Sequence, residues 1–504
     1  MNEPSAHSGA RPLRVLFAAS EAFPLIKTGG LGDVAHALPN ALAATGADVR
    51  LVLPAYRDVL RRVEDLQILG WLKLRGGDQA RIVQAWHPAF EMPLWLVDMA
   101  PLFDREGNPY QGPDGQPWPD NPRRFTRFAE AVALLAADAL DAGWRPHLVH
   151  ANDWQTGLVP AFLGEQADPP RCIYTVHNLA YDGQFDYATF QALGLPPHWW
   201  RIDGAEFHDR LSPMKAGLVY SDRITTVSPT YAREICTPEY GYGYADILRH
   251  LRHKLSGILN GIDVRLWDPA GDPHIAVHYR CDTDLAEAKA ANRRALLQAL
   301  GARPRAQEAD APVVGFIGRL VYQKGVDLLF DVIPELIRST TARFAILGSG
   351  EARLEERLQR LIAEHPARVF GHVGYSEPLA HQLEAGADIF AMPSRYEPCG
   401  LNQMYSLRYG TPPVVRRTGG LADTVTDTTP ETLAAGTATG FVFEPPEAAA
   451  LAHALRRALE TRADPATWYR IQCAGMHQDL SWERSARSYL DLYRASLEDE
   501  ERTA

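Results

Sequence analysis

The chain has 504 residues, of which 46% are hydrophobic and 22% charged, and its formal net charge is −11. This length exceeds what one hydrophobic core supports, so we expect two or three globular domains. The acidic balance, with no long basic run, argues against nucleic acid or another polyanion as a partner.

The cysteines and the ends of the chain bear on its compartment. The five cysteines are odd in number, widely spaced and without a CxxC pair, which predicts neither a disulfide framework nor a zinc site and favours a reducing compartment. The first eleven residues are polar, which argues against a signal or transit peptide, and no apolar run approaches the roughly 18 residues that span a bilayer. We therefore expect a cytoplasmic protein without membrane association.

The first predicted elements form a βαβ unit. Residues 13–19 are typical of a buried parallel strand, residues 34–46 have helical periodicity, and residues 48–54 are typical of a second strand. The turn between the first strand and the helix reads KTGGLGDV (27–34). A related turn, RTGGLAD (417–423), follows a predicted strand at 413–416 and precedes another helix.

The two glycine turns suggest two similar, doubly wound halves. Backbone N–H groups at a helix N-terminus can bind an anion such as phosphate. The alternative is that the glycines serve tight packing alone. Neither turn is the G-x-G-x-x-G dinucleotide fingerprint, which weakens a dehydrogenase interpretation.

Polar residues follow several predicted strands. Asp153 and Trp154 come after the strand at 146–150, and His177 and Asn178 come after the strand at 172–176. Taken alone, His177 suits a structural role in a core; its expected position beside Asp153 favours a functional one. Ligands bind outside the carboxyl ends of strands in open α/β sheets, so we expect these residues to line a binding crevice.

The second half repeats this pattern. After the strand at 313–317 come Arg319 and Lys324, and Tyr375, after a strand at 368–370, is either a base-stacking aromatic or a loop anchor. Glu397 follows the apolar run 387–392, and Cys399-Gly400-Leu401 opens a helix. We favour a solvated loop over a metal site for Asp282-Thr283-Asp284, because no apolar strand precedes it.

Two cations beside strand-end carboxylates fit chemistry on a phosphate-bearing substrate. If a sugar leaves a nucleoside diphosphate, Arg319 and Lys324 can neutralise the charge that grows on the bridging oxygen. Removing one such donor typically costs about 10²–10³ in rate. This pair can take the place of a metal ion.

At this point the chain resembles the bacterial glycogen synthases and plant starch synthases, the glucan 4-α-glucosyltransferases. Eight segments carry the resemblance across nearly the whole chain, in family order: KTGGLGDV (27–34), HANDW (150–154), TVHNLAY (175–181), SDRITTVSPTYAREI (221–235), GILNGID (257–263), GRLVYQKG (318–325), SRYEPCGLNQ (394–403) and RRTGGLADTV (416–425).

The resemblance implies a glycosyltransferase B fold, with two Rossmann-like, doubly wound parallel-sheet domains facing one cleft. We expect an N-terminal acceptor-side domain at 1–262, a C-terminal donor-side domain at 263–478, and a helix at 479–504 that packs back on the first domain. The implied reaction is metal-independent and cofactor-free. It moves glucose from ADP-glucose, with retention, to the non-reducing 4-hydroxyl of an α-1,4-glucan.

The resemblance also assigns roles to individual residues. Lys27, Arg319 and Lys324 would contact the nucleotide diphosphate, and Gly419 and Gly420 would add backbone donors. Further implied contacts involve Glu397 and His177 with the glucose, Asp153 beside Trp154 near the reacting centre, Cys399, Gly400 and Leu401 against the glucose, Tyr375 on the adenine, and Gly29, Gly30, Asp33, Asn178 and Thr418 elsewhere in the substrate site. The catalytic set is Glu397, His177, Asp153, Arg319 and Lys324.

One departure narrows the family. Many relatives with this fold carry a second glutamate eight residues after the first, and Tyr405 occupies that position in this chain, which matches glycogen and starch synthases.

Glu397 and Asp153 could imitate the carboxylate pair of retaining glycosidases, but the resemblance favours same-face attack with Glu397 in an electrostatic role. The alternatives are a catalytically silent protein that binds sugar nucleotide or glucan, and a phosphorylase, for which we see no pyridoxal phosphate motif. Base preference and oligomeric state stay open.

Overall fold

The protein is described from a computed structural model that covers residues 12–282, 285–302 and 310–501. It divides into two compact units. The first unit holds the described chain up to Val227, Ala232–Ile258 and the chain from Trp482 onward. The second unit holds Ser228–Tyr231 and Leu259–Ser481.

The first unit is built on a nine-stranded sheet with the strand order β11-β10-β7-β6-β1-β2-β5-β4-β3. All neighbours pair in parallel except β3–β4 and β4–β5, which are antiparallel. The strands, with the separate hairpin β8–β9, are β1 Arg14–Ala18, β2 Asp48–Pro54, β3 Glu64–Lys73, β4 Gln79–Trp86, β5 Leu94–Asp98, β6 Leu148–Asn152, β7 Arg171–Val176, β8 Glu206–Phe207, β9 Arg210–Leu211, β10 Arg223–Thr226 and β11 Leu255–Gly257.

Helices of the first unit include the last helix of the chain, and α8 crosses the boundary between the units. They are α1 Gly30–Ala44, α2 Arg57–Arg62, α3 Ala100–Phe103, α4 Asn121–Ala136, α5 Val159–Leu163, α6 Tyr187–Ala192, α7 Pro213–Tyr220, α8 Pro229–Glu234, α9 Ala245–His250 and α19 Trp482–Glu501, with 3-10 turns at Arg75–Gly77, Trp154–Thr156, Pro197–Trp199 and Arg252–Lys254.

The second unit is a six-stranded, wholly parallel sheet with the order β14-β13-β12-β15-β16-β17. Its strands are β12 Val313–Ile317, β13 Arg343–Gly348, β14 Val369–Val373, β15 Ile389–Met392, β16 Pro413–Arg416 and β17 Phe441–Phe443. Its helices are α10 Leu285–Ala299, α11 Val326–Ser339, α12 Ala352–Glu364, α13 Glu377–Gly386, α14 Asn402–Arg408, α15 Gly419–Thr424, α16 Pro430–Ala435, α17 Ala448–Arg462 and α18 Pro465–Met476, with a 3-10 turn at Tyr322–Lys324.

The central strands of both sheets are buried on their two faces, as continuous apolar strands require. Val15, Leu16 and Phe17 on β1 have no exposed surface, and the same holds for Ile389 and Phe390 on β15. The two doubly wound sheets, parallel throughout except for the β3–β4 and β4–β5 pairs, confirm the predicted fold class. Loops carry the polar residues at the carboxyl ends of the strands.

A chain of buried hydrogen bonds ties α19 to the sheet of the first unit. The hydroxyl of Tyr493 lies 2.6 Å from Nδ1 of His150, and Nε2 of His150 lies 2.6 Å from Oγ1 of Thr175. Thr175 continues the chain to Thr225 on the neighbouring strand, at 2.5 Å between the hydroxyl oxygens. The last helix therefore completes the interior of the first unit.

The prediction from the sequence that the cysteines form no disulfide framework is wrong for one pair of cysteines. Cys281 and Cys473 form a disulfide across 192 residues of sequence, with their Cα atoms 5.5 Å apart. The bond joins the segment before α10 to α18, and only the fold brings these segments together. Cys172, Cys236 and Cys399 remain thiols.

Thr283 and Asp284 of the Asp-x-Asp tract lie outside the described residues, and the solvated-loop interpretation stays a prediction. Among the described residues, no helix has the length and apolar character needed to cross a membrane.

Candidate active site

The first glycine turn leads from β1 into α1 and is held by a buried carboxylate. Glu21, which is 2% exposed, accepts hydrogen bonds from the backbone N–H of Thr28 and from its hydroxyl, the latter at 2.8 Å. Burial raises the pKa of Glu21 above its ordinary value. At the rim of the same turn, Nζ of Lys27 forms an ion pair with Oδ1 of Asp33 at 2.7 Å.

Gly30 has no structural need to be glycine. It is the first residue of α1 and is exposed, and a Cβ built on it meets no atom within 4 Å. Its φ lies outside the left-handed region, and the preceding Gly29, with φ −150°, is extended. The open backbone at Gly30 is therefore accessible to a ligand that approaches closely.

Asp153, His177 and Asn178 come together at the carboxyl ends of β6 and β7. Oδ1 of Asp153 accepts the backbone N–H of His177 at 2.8 Å, and the carboxylate also accepts the N–H of Asn178. Nε2 of His177 lies 2.9 Å from Oδ1 of Asn152. Asp153 itself has φ 57°, a left-handed backbone that is strained for a residue other than glycine.

Burial disfavours the charged form of both Asp153 and His177, so it raises the pKa of the acid and lowers that of the base. It raises the pKa of Asp153 to about 7, with the charge of Glu21 adding to the effect while the two N–H groups oppose it. Burial lowers the pKa of His177 to about 3. At neutral pH the imidazole is uncharged, and the carboxyl is divided between its two forms.

Trp154 forms the wall beside this cluster. Its indole packs edge-on against the ring of Phe125, with the ring centroids 5.1 Å apart, and its centroid lies 5.8 Å from that of Phe185. Gly183, with φ 62°, lies so close that a Cβ there would overlap the indole. The loop after β7 is thus shaped around Trp154.

In the second unit, Lys324 and Glu397 form the centre of the candidate site. Nζ of Lys324 lies 2.5 Å from Oε2 of Glu397, which also accepts the hydroxyl of Ser394 at 3.0 Å. Glu397 is 5% exposed. Loss of either partner would leave a largely buried charge uncompensated, which is costly.

Arg395 fixes the loop that carries Glu397 against the turn that carries Lys324. Its guanidinium forms two hydrogen bonds of 2.7 Å with the carboxylate of Asp327 and one of 2.8 Å with the carbonyl of Tyr322. It also lies 3.7 Å above the ring centroid of Tyr322. These contacts set the separation of the site's lysine and glutamate.

The segment after Glu397 packs closely. Cys399 is 6% exposed, and burial raises the pKa of its thiol to about 12. Gly400 is buried with φ 73°, and its Cβ would overlap the side-chain amide of Gln403. Leu401 is the N-cap of α14.

Backbone atoms of the Glu397–Cys399 segment occupy the space beside the second glycine turn. Gly419 has φ 43°, and a Cβ on it would overlap the carbonyl oxygen of Glu397. The N–H of Gly420 donates to the carbonyls of Glu397 and Pro398, both at 3.1 Å, and a Cβ there would overlap Cys399. Thr418 is the buried N-cap of α15. The packing interpretation therefore applies to Gly420, and its proposed donor role stays a prediction.

Arg319 and Tyr375 lie at the edge of the second unit's site. The guanidinium of Arg319 is exposed and donates to Oε1 of Gln323 at 3.3 Å. Tyr375 follows β14 and is 81% exposed. Lys324 contacts the carboxylate of Glu397 directly, whereas the roles of Arg319 and Tyr375 stay predictions.

Sequence reasoning missed several residues that support the site. Glu21, Ser394 and Arg395 each hold a predicted site residue or its loop in place. Glu21 had a signal, since it follows β1 just as Asp153 follows β6. For metal binding, no group of three His, Cys, Asp or Glu side chains suited to an ion occurs within the described ranges.

Two family models match the chain. The model for the starch synthase catalytic domain matches residues 14–250, and that for glycosyl transferases group 1 matches residues 302–471. A glycogen synthase of Thioalkalivibrio sulfidiphilus is 51% identical over 484 residues, covering 96% of this chain and 99% of the relative. Glycogen synthase 1 of Methylococcus capsulatus is 49% identical, with coverage of 96% and 97%.

Solved structures agree with these sequence relatives. The catalytic domain of starch synthase IV from Arabidopsis thaliana, bound to ADP and acarbose, has a TM-score of 0.85 and 32% identity, covering 97% of this chain and all of that one. Sucrose-phosphate synthase of Thermosynechococcus elongatus, with a TM-score of 0.58 and 20% identity, shares the fold alone. The chain therefore belongs to the family of bacterial glycogen synthases and plant starch synthases.

Proposed function

We propose that the protein is a retaining glucosyltransferase that moves glucose from ADP-glucose to the non-reducing 4-hydroxyl of an α-1,4-glucan. The observation that carries the proposal is the contact of Lys324 with the buried carboxylate of Glu397. Supporting it, relatives about half identical over nearly the whole chain are named glycogen synthase, and a neighbouring starch synthase holds ADP and acarbose.

The second unit would hold the donor. The bond that breaks joins C1 of glucose to an oxygen of the diphosphate, and negative charge develops on that oxygen. Lys324 and Arg319 are the cations proposed to stabilise it, in a site where such donors are worth about 10²–10³ in rate each. Glu397 would orient Lys324 and stabilise positive charge at C1.

Residues after β6 and β7 are proposed to meet the glucose and the acceptor. The acceptor's 4-hydroxyl forms the new bond to C1 on the face from which the diphosphate departs, and its proton passes to the leaving phosphate oxygen. His177, uncharged at neutral pH, is suited to hydrogen bonding with sugar hydroxyls rather than to ion pairing. Lys27 and the open backbone at Gly30 are proposed to contact the diphosphate.

We further propose that neither a metal nor a cofactor is required and that the enzyme acts in the cytoplasm. The first point rests on the two cations, which suit the charge of the leaving group. Cell fractionation tests the second point. A cytoplasmic location also makes the Cys281–Cys473 disulfide unusual, since thiols there are mostly reduced.

The test is glucose transfer to glycogen from radiolabelled ADP-glucose and UDP-glucose in parallel, with excess chelator. We expect chelator-resistant incorporation from ADP-glucose, and a product that β-amylase degrades, as an α-1,4 extension requires. Glu397→Gln should lower kcat by at least about 100-fold. Glu444→Gln, at an exposed ion pair with Arg417, is the matched control.

Two outcomes would contradict parts of the proposal. Near-normal transfer by Glu397→Gln would show that the site assignment is wrong. Saturable binding of ADP-glucose by the wild-type protein without any glucan product would instead support the catalytically silent alternative.

A further inference from the structure

The strand β3 is an exposed edge of the first unit's sheet. It is the last strand in the sheet order and, among the strands that the structure describes, pairs only with β4. All residues from Glu64 to Ile68 are exposed. An edge strand carries a row of backbone N–H and C=O groups that can pair with another chain, and proteins usually shorten or cover such edges.

This edge is apolar as well as long. Leu66, Ile68 and Trp71 are 54%, 57% and 60% exposed, three large apolar side chains on one ten-residue strand. Ile68 pairs with Val83 and Trp71 with Arg81 across the ladder. Since residues two apart on β4 share a face, Ile68 and Trp71 lie on the same face of the sheet. Large apolar side chains that are exposed together often mark a site of interaction with another protein.

The charges of β3 are arranged so that the strand complements itself. It begins with Glu64 and Asp65 and ends with Lys73. Within the described part of the chain, neither Glu64 nor Lys73 forms an ion pair. An antiparallel copy of the strand would bring each acidic end to the other's basic end, and would set Leu66 opposite Trp71 of the second copy.

We propose that β3 is a homodimer interface, in which two copies of this chain pair their β3 edges antiparallel about a two-fold axis. Such pairing is isologous and uses each β3 edge once, so the assembly closes at two copies. The register shifts against β4 between Glu64 and Gln67 and between Ile68 and Gly70 make the edge irregular, which disfavours unlimited strand addition. This inference does not depend on the proposed function.

The experiment is sedimentation equilibrium of the full chain over a wide concentration range. We expect a monomer–dimer equilibrium for the wild-type protein. Ile68→Lys should raise the dimer dissociation constant by about 100-fold, because two added cations would face each other across the axis. Ile202→Lys, at an apolar residue that is 86% exposed elsewhere in the first unit, should leave the dissociation constant unchanged. Circular dichroism and thermal unfolding verify that each variant is folded.

A charge-swap series tests the register and the identity of the partner. Glu64→Lys and Lys73→Glu should each weaken the dimer roughly tenfold, since each places like charges together at both ends. The double variant should restore wild-type association, which only a second copy of this chain would produce. A monomer at every concentration, or a double variant no tighter than the single ones, would overturn the proposal. So would weaker glycogen binding by Ile68→Lys at unchanged mass, which would make the strand a glucan-docking surface.

Discussion

At the residue scale, Asp153 combines a strained backbone with an unusual proton affinity. Its left-handed φ of 57° turns the carboxylate toward the N–H groups after β7, and burial raises its pKa to about 7. Strain of this kind persists where the surrounding structure over-determines it, which is common at functional sites. The strain supports the prediction that Asp153 serves the reaction rather than stability.

The titration of Asp153 predicts a pH dependence of unfolding. Because its folded pKa of about 7 exceeds the usual 3.8, the folded protein holds this proton more tightly than the unfolded chain. The stabilisation is complete at pH values below the usual pKa and is lost as the pH rises through about 7. We expect the wild-type melting temperature to fall relative to that of Asp153→Asn as the pH is raised from about 4 to about 8.

His177 also changes its pKa on unfolding, so the effect of Asp153 has to be isolated by comparing the wild-type protein with Asp153→Asn. Its lowered pKa gives the opposite trend, with stability lost as the pH falls below 6.5 toward about 3, and this trend is common to wild type and variant. Parallel melting curves for the two proteins across the whole range would show that Asp153 does not titrate as described.

The two glycine turns predict contrasting effects of the same substitution. Gly30→Ala adds a methyl group in open space at a helix start, so the melting temperature should stay the same or rise. If the diphosphate approaches there, KM for ADP-glucose should rise roughly tenfold, a loss of about 1.4 kcal/mol in binding. Gly420→Ala, whose Cβ would overlap Cys399, should instead lower the melting temperature. An unchanged KM for Gly30→Ala would remove this turn from the donor site.

Sequence patterns predicted these turns as equivalent, and they are not. The motif and its place between strand and helix were visible at both ends of the chain. What closes the second turn is the approach of the Glu397 and Cys399 carbonyls, a tertiary contact that local spacing does not encode. The same holds for the pairing of Lys324 with Glu397, which are 73 residues apart in sequence.

At the element scale, apolar runs predicted the central strands closely. Residues 48–54, 313–317 and 413–416 were expected as strands and form β2, β12 and β16. The antiparallel hairpin of β3 and β4 was not predicted. Its alternation is broken by the positive φ of Asp65 and by the irregularity before Gly70, and its apolar side chains face outward. Periodicity identifies strands through burial, so an exposed edge gives a weak signal.

The disulfide between the segment before α10 and α18 predicts a redox-dependent stability. Closing a long loop in the unfolded chain stabilises a protein by about 2–4 kcal/mol. Dithiothreitol should therefore lower the free energy of unfolding of the wild-type protein by about that amount, as measured by chemical denaturation. Cys281→Ser should show the same stability with and without the reductant, whereas Cys236→Ser, which alters a free thiol, should respond like wild type. Five titratable thiols in the unreduced, denatured protein would contradict the pairing.

At the scale of the whole molecule, the first unit is discontinuous in sequence. Its sheet is complete by Ile258, but α19 joins it only after the second unit. That helix contributes Tyr489 and Tyr493, which have no exposed surface, and it supplies the hydroxyl beside His150. A first unit without α19 would expose this apolar interior.

Because α19 belongs to the first unit, we expect fragments that correspond to the two units to differ in their ability to fold. Residues 259–481 should give a folded fragment with a cooperative thermal transition, whereas residues 1–258 should be protease-sensitive and bind a hydrophobic dye. Joining residues 482–504 to 1–258 through a flexible linker should restore protease resistance. A stable, protease-resistant 1–258 fragment would show that α19 is dispensable for the first unit.

The late return of α19 also matters during synthesis on the ribosome. More than 200 residues separate Ile258 from Trp482, so at about 5–20 residues per second the nascent first unit waits roughly 10–45 s for its last helix. Through that interval the site of α19 stays uncovered and open to chaperones. Any chain released early lacks this helix, so premature termination yields a product that proteases can recognise.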